Sequence, residues 1–168
     1  MLIPEKISTL PEYFSYIGNL SQINSKYVVL PLDEPHFKIN ANTRMIEIPK
    51  EFKQNGVGVQ GDHGAEILYF KIARFFDAID FGRQDISIII QWETTDKEKP
   101  FGSSIAIYKD ITSDPDNVIF GWELNNDITK SGSVKFSVRI LRWTDNTKTE
   151  YDYSFSTLSA NIAINPAL

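Results

Sequence analysis

Cysteine is absent from all 168 residues. Its absence removes disulfides, thiolate metal sites and cysteine nucleophiles together, and it leaves the redox compartment open. Only two histidines occur, His36 and His63, far apart along the chain. No run approaches the roughly 18 consecutive apolar residues of a membrane span. The opening MLIPEKISTLPEYFSYIGNL has neither a basic start nor an unbroken apolar stretch, so a secretory leader is not expected there. The expectation is a soluble chain with no membrane partner. Lys and Arg do not cluster, and the formal charge is −5. Such a chain repels phosphate backbones, so nucleic acid is not an expected partner.

What the chain has in quantity is Ile, Phe, Tyr and Thr, which suit a pleated, half-buried surface better than a helix. Its length fits one domain with a substantial core, with room for an extended arm. Residues 1–26 lack a clean strand period and carry Pro4 and Pro11. There Tyr13, Phe14, Tyr16 and Ile17 sit among polar residues, with a short helix expected near Glu12–Gly18. Aromatic rings at a terminus must bury somewhere. These four residues are therefore the interface candidates, and the segment packs either on its own domain or as an arm on a neighbour.

From residue 27 to 168 the pattern is strand after strand. Phe37–Ile39 and Met45–Ile48 flank the polar turn Asn40-Ala41-Asn42-Thr43 and predict a hairpin. SIIIQW, Ser87–Trp92, is a β-branched run, and Ile105–Tyr108 and Val118–Trp122 follow around the turn cluster 112–117. The clearest period of two is SVKFSVRILR, Ser133–Arg142: Val134, Phe136, Val138 and Ile140 face one way, Lys135, Ser137 and Arg139 the other. Tyr151, Tyr153 and Phe155 alternate next, then Leu158, Ala160, Ile162 and Ile164. Short strands at this spacing, joined by Asn, Asp, Gly and Pro, predict an all-β sandwich or barrel. The organisation expected is an N-terminal arm, 1–26, and one β-domain, 27–168.

One stretch argues for different chemistry. GVGVQGDHGAE contains a literal G-x-G-x-x-G at Gly56, Gly58 and Gly61. A dinucleotide fingerprint also needs a strand into the first glycine, a helix out of the last, and an acid about twenty residues on. Asp80 stands at that distance. However, Pro49 and the polar Lys50–Asn55 interrupt the approach. AEILYFKIARFFDAI beyond the motif can be drawn as a helix or as a strand with Leu68, Phe70, Ile72 and Phe76 on one face. Apolar bulk around much of a helix, and Asp62-His63-Gly64 as a poor helix opening, favour the strand. Asp77–Gly82 then reads as a turn. The glycines are expected to supply positive φ and close approach at a strand entry.

No other constellation points to catalysis, a cofactor or a metal. Asp62, His63 and Glu66 lack further ligands at useful spacing. Asp114, Asp116 and Asn117 lack the Gly and closing Glu of a calcium loop. G-x-S-x-G and H-E-x-x-H are missing. Trp92, Trp122 and Trp143 could stack on sugars, yet Trp92 and Trp122 lie within apolar strands, where burial is expected.

Several blocks together carry a family resemblance: DEPHFKINANTRMIEIPKEFKQNGVGVQGDHGAEILYFKIARFFDAIDF, IIIQWE, IFGWELNNDITKSGSVKFSVRI and YSFSTLSANIAINPAL. Their most specific parts are the Asn-Thr-Arg turn, the VQGD-x-x-AE bend and the FGW…T…G…FSV block. This stretch, about Asp33 to Leu168, resembles small virion structural proteins of tailed phages of Gram-positive bacteria, the capsid decoration proteins. A looser likeness extends to the N-terminal domain of phage baseplate upper proteins. The resemblance implies an immunoglobulin-like β-sandwich, following the N-terminal arm read from residues 1–26 themselves, and in it the VQGD bend is structural. It implies a non-enzymatic protein without cofactor, bound to the major capsid protein or another virion protein at the capsid surface after assembly in the host cytoplasm. It further implies a homo-oligomer, a trimer or hexamer. A baseplate or tail adaptor is the alternative, and a nucleotide- or carbohydrate-binding enzyme domain the remoter one.

Overall fold

The structure, a computed structural model, describes residues 35–166 apart from 65 and 113. Two sheets face each other. The first runs β2 (Ile46–Glu47), β1 (His36–Ile39), β4 (Ile67–Ala73), β10 (Asn117–Glu123), β9 (Ile107–Asp110). The second runs β3 (Val57–Val59), β13 (Ala160–Asn165), β11 (Ser133–Trp143), β7 (Ile86–Thr94), β8 (Phe101–Ile105), with β12 (Tyr151–Ser156) also paired to β11. A small hairpin, β5 (Phe75–Phe76) and β6 (Ile79–Asp80), is paired with neither sheet but packs on β12 through Phe76 and Phe155. The fold is an all-β sandwich. Pairing is antiparallel except for β1 on β4 and β3 on β13. Among the described residues no helix is long and apolar enough to cross a membrane.

Alternation builds the core. In β4, Leu68, Phe70 and Ile72 are buried; in β7, Ile88, Ile90 and Trp92; in β11, Val134, Phe136, Val138 and Ile140. These faces meet through aromatic rings. Phe70 stacks on Phe37 and Phe120, at 4.9 and 5.2 Å between centroids, and meets Phe136 edge-on at 5.9 Å. Trp122 lies 5.0 Å from Phe136. Each such side chain removes enough apolar area from water to contribute about 1.5–3 kcal/mol.

The expected β1–β2 hairpin forms, with Lys38 opposite Glu47 and Ile39 opposite Ile46. Its turn is tied by Asn40, whose side-chain oxygen accepts from the N–H groups of Asn42 and Thr43. Beyond the glycines the strand drawing holds for Leu68, Phe70 and Ile72, since Ile67–Ala73 is extended and pairs along its length with β10. It fails at Phe76, which belongs to the separate β5–β6 hairpin, and the expected turn Asp77–Gly82 contains the strand Ile79–Asp80.

Three local expectations are corrected. Ile105–Tyr108 is not one strand: the chain leaves the second sheet after Ile105, passes the fully buried Ala106, and enters the first at Ile107. A small residue suits that crossing because both layers close over it. Leu158 is not on the buried face with Ala160, Ile162 and Ile164; it precedes β13 and is 58% exposed. Tyr151 leaves the face of Tyr153 and Phe155 because the β11–β12 register shifts between Arg142 and Trp143. Two short helices were also not legible, α1 (Lys50–Asn55) and α2 (Asn126–Thr129). The second is capped by Asn125, whose side chain accepts from the Ile128 N–H at 3.2 Å.

Candidate functional site

The four interface candidates, Tyr13, Phe14, Tyr16 and Ile17, lie outside the described residues, as does the whole of the expected arm. Among the described residues, the features that could bear function are the glycine stretch, the polar clusters and the exposed apolar side chains.

Gly56, Gly58, Gly61 and Gly64 all have positive φ. At Gly56 a Cβ would stand 2.9 Å from Asn165 Oδ1 and 3.0 Å from the Ala163 carbonyl oxygen. The segment closes on the last strand: β3 runs parallel to β13, and the Gln60 N–H donates to the Asn165 carbonyl at 2.7 Å. The following loop is held by α2, because the Thr129 hydroxyl donates to the Asp62 carbonyl and the Asn126 N–H donates to His63 Nδ1 at 3.2 Å. A phosphate cradle needs the open N-terminus of a helix after the last glycine. Here that place is taken by the start of β4. The glycines therefore act as backbone freedom, fastening the edge strand β3 to β13 within the second sheet.

The polar clusters are likewise occupied by structural bonds. Asp114 accepts from the Asp116 N–H and from Asn117 Nδ2, and pairs with Lys71 at 3.3 Å. Asn117 and then Asp116 and Lys71 outweigh burial and hold its carboxyl below the usual aspartate range. Arg74 forks onto both oxygens of Asp80, at 2.9 and 3.1 Å, while the Gly82 N–H donates to the same carboxylate at 2.8 Å. Burial pulls the Asp80 pKa up, but Arg74, Gly82 and the charge of Lys109 together pull it below its ordinary value. Lys109 is fully buried and donates to the carbonyls of Arg83 and Ile86, pinning the entry to β7. No three His, Asp or Glu side chains converge as a metal site among the described residues.

Of the three tryptophans, Trp92 and Trp122 are buried as expected. Trp143 is half-buried on the outer face of the second sheet. Its N–H donates to Ser87 Oγ at 2.8 Å, Tyr151 meets it edge-on, and Lys148 lies 5.9 Å from its ring. Arg139 donates to the Tyr151 hydroxyl and sits 5.3 Å from that ring. Leu141, between Arg139 and Trp143 in β11, is only 3% exposed although it shares the outward parity of Arg139. The Trp143 ring is thus edge-packed and bonded at its N–H.

The unclaimed apolar surface sits on edges and loops. Met45 and Leu158 are both exposed, and their segments are joined where the Leu158 N–H donates to the Arg44 carbonyl at 2.8 Å. Arg44 itself lies over the Phe155 ring at 4.6 Å. A groove of about 790 Å³ runs from Met45 past Ile46 and Ile48 to Ala160. Phe101, at 71% the most exposed large apolar residue among the described residues, lies on β8 beside a depression of about 390 Å³ lined by Gln91, Ser103 and Ser137. No family model matches this chain, and no curated protein matches it.

Proposed function

We propose that this chain is a non-enzymatic virion structural protein of a tailed phage, a capsid decoration protein that binds and stabilises the head lattice. In this reading its sandwich is of the immunoglobulin-like kind, and its partner is the major capsid protein or a neighbouring virion protein. The observation that carries it is the division of labour on the surface. The acids and bases of the clusters described are engaged in turns, caps and ion pairs, while large apolar side chains stand exposed on edges and loops: Met45, Phe75, Phe101 and Leu158. That arrangement supports docking rather than turnover. Modest apolar contacts of this kind gain strength when displayed many times on a lattice.

The test is location and stoichiometry. In purified virions, quantitative mass spectrometry should find this chain at a copy number in simple ratio to the capsid protein, and immunogold should decorate heads. Gold confined to the tail tip would replace the head assignment with a baseplate or tail adaptor. Absence from virions would overturn the structural reading altogether.

A further inference from the structure

The edges of the two sheets differ in how they are protected. β2 is two residues long, β3 three, and β9 and β12 carry charged residues, Lys109 and Asp110 in one and Asp152 in the other. β8, FGSSI, has five residues and no charge or proline within it. It is the terminal strand of its sheet and pairs only with β7 among the described residues. An uncharged edge of that length is a template for another strand.

The ladder shows which backbone groups that edge offers. The Thr94 N–H donates to the Pro100 carbonyl at 2.7 Å, and the Ala106 N–H donates to the Ile88 carbonyl at 3.0 Å. Antiparallel pairs alternate, so Gly102 and Ser104 turn their peptide groups to β7, while Phe101, Ser103 and Ile105 turn theirs outward. The same three residues share the outer face, opposite Glu93, Gln91 and Ile89.

We propose that two copies of this chain pair through β8, antiparallel about a two-fold axis at Ser103. Other even registers leave one of the three outward-bonding residues outside the ladder. Centring on Ser103 places Ser103 opposite its copy and Phe101 opposite Ile105 of the second copy, twice over. All outward N–H and C=O groups are then satisfied reciprocally, and the exposed Phe101 ring covers a half-buried Ile105. Gly102 and Ser104 meet on the inner face, both small. One strand complements itself, which is the requirement of an isologous contact. A hexamer of dihedral symmetry contains such a two-fold and a simple trimer does not. The pairing does not depend on what the protein attaches to.

The full chain tests it directly, because a single introduced cysteine is the only thiol. Hydrogen-bonded antiparallel partners have Cα atoms about 5.5 Å apart, within disulfide range. Under mild oxidation, Ser103→Cys should form a covalent dimer on the order of tenfold faster than Gln91→Cys, one strand (about 4.8 Å) further from the axis on each side. In sedimentation equilibrium the native chain should associate through this contact. Ser103→Lys, which sets like charges opposite each other, should weaken that association on the order of tenfold while leaving the melting temperature of the dilute protein unchanged. Equal cross-linking by the two cysteine variants overturns the proposal. So does a native chain that stays monomeric at high concentration, as it would if its own N-terminal residues covered this edge. Association untouched by Ser103→Lys overturns it as well, and virion location plays no part in any of these outcomes.

Discussion

Asp77 and Ala78 form the two-residue turn between β5 and β6 with φ of 54° and 60°. The turn thus has the positive φ at both central residues that favours Asx-Gly. Asp77 tolerates that region and also accepts from the Tyr153 hydroxyl at 3.1 Å. Burial, then Asp77, pushes the Tyr153 pKa up to about 12. Ala78 has no such compensation. Ala78→Gly should therefore raise stability by about 0.5–1 kcal/mol, read from the shift of a urea midpoint at constant m-value. Gly102 is the opposite case. A Cβ there would stand 2.4 Å from Trp92 Cζ2, and the indole is anchored by its bond to Ser104 Oγ. Gly102→Ala should cost about 1–3 kcal/mol, because a ring wedged between layers has little room to yield. Acid sensitivity is also set at single residues. Asp80 has a folded pKa below its unfolded value. Its stabilisation is therefore complete above the unfolded pKa and lost as pH falls through the folded one. Between about pH 5 and pH 2 the melting temperature of Asp80→Asn should fall less steeply than that of the native chain, from a lower starting point.

Elements show what periodicity can carry. β11, β4 and the β1–β2 turn follow from alternation and Asn chemistry, because each strand buries one face and Asn40 accepts from the turn's own backbone N–H groups. The division of 101–110 into β8 and β9 does not follow, since both pieces have strand-like composition and the change of sheet lies in one buried alanine. The register shift that turns Tyr151 outward is equally silent in the sequence. The glycine stretch sits between these cases. Its positive φ values were legible, but its partner was not, because β13 lies about a hundred residues further on. Gly56→Ala tests that partnership. With φ at +69° and Asn165 and Ala163 in the way, it should cost about 1–3 kcal/mol. Amide exchange at Gln60, whose N–H bonds Asn165, should rise more than exchange in the central β7–β11 ladder.

At the scale of the molecule, the interface candidates of the arm, Tyr13, Phe14, Tyr16 and Ile17, await their own experiment. Removing residues 1–26 should leave the β-type circular dichroism and cooperative melting of the sandwich while abolishing binding to phage shells in co-sedimentation. Equal binding by the shortened chain would end the arm hypothesis and leave the exposed apolar side chains of the sandwich, Met45, Phe75, Phe101 and Leu158, as the docking candidates. Amino-acid order alone determined the all-β class, the alternating core faces and the bends, because those depend on neighbours two to four residues apart. The tertiary structure decided which strands share a sheet, where the chain crosses between them and which strands stand at the sheet edges among the described residues. Those outcomes depend on contacts between residues such as Val57 and Ile164, or Phe70 and Phe136, whose pairing is chosen by how whole layers close over one another.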